Sequence, residues 1–214
     1  MTPADQTDKQ HADLSTGSDV DRVFDAQKAA FLKNGTPDAK ERIAHLKKLK
    51  KALLTYKDQI ADAIDQDFGY RSKDESFIVE IFSSLMTLDH TAKHVKKWMK
   101  PSRRLPGMFF MPAWAKVYYQ PLGVVGIIVP WNYPVFLTIG PLAYALAAGN
   151  RVIIRMSKNS PNLALLLKKM IGEAFAEDQL ALFTGDDVSG RDFTQKPWDH
   201  ILFTGSTDAG KHVM

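Results

Sequence analysis

Apolar positions between Asp19 and about Lys100 recur every three or four residues, the spacing of one buried face on a helix. Thr36-Pro37-Asp38 predicts a helix start: Thr36 as N-cap, proline at the first position, then an acid facing the positive end of the dipole. Behind it Ile43, Leu46, Leu49 and Leu53 form the buried stripe, while Lys40, Lys47, Lys48, Lys50 and Lys51 fall mostly elsewhere on the wheel. Gly69 is expected to end the next, short helix. A long third helix from about Glu75 to Met99 would bury Ile78, Ile81, Phe82, Leu85, Leu88 and Val95. Pro101, Pro106, Gly107 and Pro112 then make 101–112 a loop.

After this loop the period changes. Trp114 to Gln120 alternates like a half-exposed strand, and Pro121 to Asn150 holds no charged residue. A membrane span needs about 20 continuous apolar residues. Asn132, Gly140 and three prolines, Pro130, Pro134 and Pro141, interrupt this run. It therefore reads as a buried strand, Gly123 to Val129, and a buried helix, about Pro134 to Ala148, closed by Gly149. Strands at Arg151–Met156, Leu180–Thr184 and His200–Thr204 follow, separated by a helix from Ser160-Pro161 to about Ala176 and a brief one near Ser189–Thr194. This alternation predicts an α/β fold: a three-layer parallel sheet, Rossmann-like, behind an N-terminal helical layer. The expected divisions are a disordered tail over 1–18, helical layer and loop over 19–112, and the α/β domain over 113–214. Ligands bind such sheets beyond the carboxyl ends of the strands, so the loops at 130–134, 155–160, 185–188 and 204–210 carry the interest.

Composition narrows the chemistry. The 214 residues are 45% apolar and 24% charged, which excludes a disordered or fibrous chain. The net charge of +4 (28 − 24) is too thin to imply a nucleic-acid partner. The basic run Lys93, Lys96, Lys97, Lys100, Arg103 and Arg104 contains no acid and no recognisable nucleic-acid module, and reads as a solvated face. No cysteine is present, which excludes disulfides, thiolate metal sites and a cysteine nucleophile within these residues. No metal site is expected. Met1 to Ser18 is polar and lacks the apolar segment of a secretory signal, so a cytoplasmic location is expected.

Each loop admits two readings. In Pro130-Trp131-Asn132-Tyr133-Pro134, Asn132 either caps the following helix or presents a neutral N–H donor to an oxygen that gains charge during reaction. Thr204-Gly205-Ser206-Thr207-Asp208-Ala209-Gly210-Lys211 either turns strand into helix or offers backbone N–H groups to a phosphate. It nearly spells a nucleoside-triphosphate loop, but position 212 is His where that motif needs Ser or Thr. Arg155 and Lys158 are either a phosphate-holding pair or ordinary solvated cations.

In order and spacing these segments resemble the aldehyde dehydrogenase superfamily. The resemblance rests on Gln120 to Pro134, on Ala147-Ala148-Gly149-Asn150-Arg151-Val152, on Phe203-Thr204-Gly205-Ser206-Thr207, and on Asp67-Phe68-Gly69-Tyr70-Arg71-Ser72 with Glu75. The last segment, with the short Asn132–Gly205 spacing, points to the class-3-like branch and the coniferyl aldehyde dehydrogenases within it. The family oxidises aldehydes to carboxylic acids with NAD or NADP. A cysteine thiolate attacks the carbonyl, and a glutamate-activated water releases the thioester. By resemblance Asn132 is the oxyanion donor and Ile128 and Trp131 line the cofactor cleft. Gly205, Ser206, Thr207 and Gly210 form its pyrophosphate end, and Gly185, Arg155 and Lys158 complete the cofactor-binding set. The strand at 114–121 would belong to an oligomerisation sheet, implying a homodimer and an unpaired edge in this chain alone. Tyr133, Phe136 and the 108–114 loop would suit an aromatic aldehyde, or simply pack.

Two departures matter. Where the family typically places a Glu at the adenosine ribose this chain has Lys158, which would attract a 2′-phosphate and so favour NADP. The family's cysteine and glutamate lie beyond Met214, so this chain is expected to be the N-terminal, cofactor-binding portion of the fold and inactive alone. A non-catalytic nucleotide-binding module and a triphosphate hydrolase are the alternatives.

Overall fold

The computed structural model describes residues 16–214. Residues 1–15 of the expected tail lie outside it, whereas Thr16–Ser18 open helix α1, Thr16–Asn34. Helix α2, Ala39–Phe68, is one continuous rod of 30 residues. The sequence had suggested two helices here, but no breaker falls between Ile43 and Phe68, and only Gly69, at φ 61°, stops the rod. Its cap is Asp38, which accepts from the Glu41 N–H, and not Thr36 as expected.

After the short α3, Lys73–Glu75, comes a π-helical segment, Ser76–Phe82, which runs into α4, Ser83–Trp98. The wide turn changes which residues face inward. Ser76, Glu80 and Ile81 are buried, while Ile78 and Phe82 are exposed by 61% and 50%. The expected stripe is thus right at Ile81, Leu88 and Val95 and wrong at Ile78 and Phe82. A uniform 3.6-residue period cannot anticipate a π-bulge.

The segment expected as a loop over 101–112 contributes a strand, β1, Ser102–Arg104, and a 3-10 turn at Met108–Phe110. β1 pairs antiparallel with β2, Ala115–Val117, shorter than the strand expected from Trp114 to Gln120.

The α/β portion follows its pattern closely. β3, Val124–Val129, leads to α5, Phe136–Ala148, then β4, Arg151–Met156, and α6, Pro161–Ala174. β5, Leu180–Phe183, α7, Gly190–Thr194, β6, His200–Phe203, and α8, Thr207–Val213, complete it. The four strands β3–β6 are parallel in the order β5-β4-β3-β6.

Alternation along the strands builds two cores. Val125, Ile127, Val129, Val152, Ile154 and Met156 face α5 and α6, with α2 and α4 stacked outside as the helical layer. Val124, Ile128 and Ile153 face α1, Phe193 of α7 and Val213 of α8. Each fully buried Leu or Ile contributes about 1.5–3 kcal/mol. Since β3 runs into α5 on one face and β6 into α8 on the other, the chain switches direction between these two neighbouring strands. That switch point is where an open parallel sheet forms its ligand crevice.

Candidate active site at the switch point

Ile128 pairs with Phe203 and the Thr204 N–H donates to the Ile128 carbonyl at 3.2 Å, so β3 and β6 end side by side. The loops carrying Trp131–Asn132 and Gly205–Ser206 therefore emerge next to each other.

The first loop does not use Asn132 as a helix cap. α5 begins at Phe136, and Val135 at its N-cap position supplies no side-chain cap. Its exposed start is met instead by Glu80 from the π-turn, whose Oε2 accepts from Val135 N at 2.6 Å and Phe136 N at 3.4 Å. Asn132 is exposed, and among the described residues its side-chain amide has no protein partner. Its carbonyl accepts from Arg71 Nη1 at 2.8 Å. Trp131 is half exposed, its ring 5.8 Å from that of Phe68.

The Arg71–Glu80 pair beneath this loop was not anticipated from sequence. Arg71 Nη1 lies 3.0 Å from Glu80 Oε1, with side-chain exposures of 7% and 0%. The guanidinium also packs 4.8 Å from the Phe68 ring and 4.7 Å from that of Tyr133. Burial pushes the Glu80 carboxyl above the usual 4.5, outweighing its backbone hydrogen bonds and Arg71. A raised folded-state value means that the native protein holds this proton to higher pH than the unfolded chain. The stabilisation is complete below the ordinary value and disappears as pH rises through the raised one. Urea unfolding followed across that window should show a falling component in the parent chain that Glu80→Gln removes.

The second loop starts at Gly205, where an added Cβ would collide with the Phe203 ring and sit 3.1 Å from its Cε1. The same ring lies 3.5 Å from the corresponding point on Gly210, so both glycines fold over Phe203. Ser206 is the N-cap of α8, accepting from Ala209 N at 3.3 Å, and Thr207 opens the helix. Gly205, Ser206 and Thr207 are exposed. Lys211, the residue a triphosphate loop would use, lies 3.8 Å from Asp208 on the flank of α8.

Of the other expected site residues, Ile128 is 7% exposed and belongs to the core shared with α1 and α7, near the end of β3. Arg155 and Lys158 meet different surroundings. The Arg155 Nε donates to the Val188 carbonyl at 3.0 Å, since Arg155 shares a face of β4 with Ile153, which packs with Val188 and Phe193. Lys158 is exposed. Gly185 serves it indirectly: a Cβ there would lie 2.6 Å from Lys158 Cα, so the missing side chain lets the two loops touch. Two cavities of about 500 Å³ each lie elsewhere, one walled by Trp98, Tyr119 and Tyr144 and the other by Val125, Ile127, Tyr144 and Leu202. Among the described residues no three His, Asp or Glu converge as metal ligands, and no helix is long and apolar enough to cross a membrane.

An open parallel sheet with an uncommitted amide on one side of its switch point and an exposed glycine turn on the other is an α/β arrangement of the kind that takes ligands at that point. The family is equally definite: the chain matches the aldehyde dehydrogenase family over residues 1–214 and belongs to it. It is 51% identical over 195 residues to a probable coniferyl aldehyde dehydrogenase of Pseudomonas aeruginosa, covering 91% of this chain and 41% of that protein. It is 39% identical to a coniferyl aldehyde dehydrogenase of a Pseudomonas species, covering 92% and 40%. The substrate-bound structure of Staphylococcus aureus AldH superposes with a TM-score of 0.85 at 32% identity, covering 91% of this chain and 42% of that one. PnpE in complex with nicotinamide adenine dinucleotide superposes at 0.78 and 26% identity, covering 92% and 40%. The chain thus spans about two fifths of the length of these relatives, as an incomplete version of their fold.

Proposed function

We propose that this chain supplies the dinucleotide-binding and oxyanion-stabilising part of an enzyme that oxidises an aldehyde to a carboxylic acid. The observation carrying this is the division of labour at α5. Glu80 serves the helix start, leaving the Asn132 amide free at the mouth of the crevice beside the Gly205 turn. The donor set suits an anionic dinucleotide: exposed turn N–H groups at 205–207, the Asn132 amide, and the Lys158 ammonium. Bound there, the nicotinamide would supply the hydride acceptor. Asn132 would donate to the aldehyde oxygen as charge gathers on it, a contribution worth about 2.7–4 kcal/mol in comparable oxyanion sites. Trp131 would shield one side of the crevice from water, and Gly205 to Thr207 would hold the phosphates. The names of the coniferyl aldehyde dehydrogenases among the relatives support an aromatic, phenylpropanoid-type aldehyde as substrate.

Titrating the 214-residue chain with NAD and NADP, by thermal shift and Trp fluorescence, tests this reading. Saturable binding of either dinucleotide is expected. No reduction of NAD by an aromatic aldehyde is expected, because the chain holds no thiol. Absence of binding to both would defeat the proposal.

A further inference from the structure

We infer that Arg71 is the positioning residue for Asn132, with Glu80 as its anchor; the functional weight of this rests on the proposed oxyanion role. Because the Asn132 amide has no protein partner among the described residues, its direction is set by its own backbone. That backbone is gripped at one point, the hydrogen bond from Arg71 Nη1 to the Asn132 carbonyl. Arg71 is itself immobilised. Its guanidinium lies against the rings of Phe68 and Tyr133, 3.0 Å from Glu80 and 3.4 Å from Glu75. Glu80 works in two directions: Oε1 faces Arg71, and Oε2 holds the N–H groups of Val135 and Phe136. One carboxylate thereby ties the middle and the far end of the 130–135 loop to the same buried point.

The chain is bent to place this arginine. Gly69 at φ 61° is followed by Tyr70 at φ 86°, a left-handed conformation unusual for a residue with a side chain. The Tyr70 side chain is 99% exposed, so its own burial does not explain the conformation. What the turn accomplishes is the delivery of Arg71 beneath Asn132. Strain of this kind persists where the surroundings over-determine it. An oxyanion donor misplaced by about 1 Å loses much of its effect.

The competing account is that Arg71 merely neutralises Glu80. Two variants separate them, with thermal midpoint and backbone 15N order parameters as readouts. Arg71→Gln should lower the midpoint and drop the Asn132 and Tyr133 amides from about 0.85, the rigid value, to below about 0.6. The double variant Arg71→Gln/Glu80→Gln removes both charges. It should recover midpoint without recovering order at Asn132. Recovery of order in the double variant, or unchanged order in the single one, overturns the inference. Should the variants fail to fold, the parent chain still decides. Resolved, slowly rotating Nη signals from Arg71 are expected, and one averaged signal would overturn the inference. These readouts do not use a dinucleotide. Failure of the parent chain to bind NAD or NADP would strike the proposed function and leave the order measurements standing.

Discussion

Replacing Gly123 by alanine should lower the unfolding free energy by about 2–6 kcal/mol, summed from two costs. Gly123 has φ 138°, where a side chain strains the backbone by about 1–3 kcal/mol. The new methyl would also overlap Asp199 Oδ2 and lie 2.7 Å from its Cγ. That carboxylate cannot easily yield. It accepts from Val124 N at 2.7 Å and binds Lys28 Nζ at 2.5 and 2.7 Å, fastening α1 to the start of β3. Driving it away orphans the Val124 N–H, at a further cost of about 1–3 kcal/mol. Gly172→Ala is the control. It lies on the exposed side of α6 with nothing within 4 Å of an added Cβ, and should stabilise by about 0.5–1 kcal/mol. Urea midpoints at constant m-value read both.

The second large effect concerns the choice of dinucleotide. Lys158→Glu should lower the NADP-to-NAD affinity ratio about tenfold or more, since a hydrogen bond to a charged group is worth about 1.5–3 kcal/mol. Solvent screening of an exposed side chain keeps the change near the lower end. The substitution is clean because the Lys158 side chain is exposed and, among the described residues, makes no hydrogen bond or ion pair, so charge reversal breaks no contact of the fold. Calorimetric titration with both dinucleotides measures it. Equal weakening of the two would show that Lys158 does not meet a 2′-phosphate.

Where the sequence was legible, one physical signal dominated. Arg151–Met156 matched residue for residue, because a β-branched run between a glycine turn and a serine turn leaves little choice of register or length. Gly149, at φ 90°, ends α5 as its position announced. Legibility failed where signals compete or act at long range. Thr36 and Asp38 are both acceptable caps, and only the geometry chooses Asp38. A three-residue strand such as β1 exists through its pairing with Ala115–Val117, information not held in residues 102–104. Phe82 faces solvent because Glu80 turns inward to serve α5, a helix more than fifty residues further on. At the site, Asn132 and Gly205 stood out through family resemblance. Arg71 had been noticed only as part of a motif, since its partners are Glu80 and the carbonyl of Asn132. The bond from Arg155 to Val188 was equally invisible, because nothing local foretells a partner thirty-three residues further on.

Helix α2 couples places that the chain otherwise keeps apart. Near its beginning Arg42 donates to the carbonyl of Ala147, at the end of α5. Near its finish Asp67 accepts from the N–H groups of Asn162 and Leu163, at the start of α6, and Phe68 abuts Trp131. At 1.5 Å per residue these grips stand about 37 Å apart along one continuous helix. This one helix thus fixes the spacing between the end of α5, the start of α6 and the indole of Trp131, three places that no single loop connects.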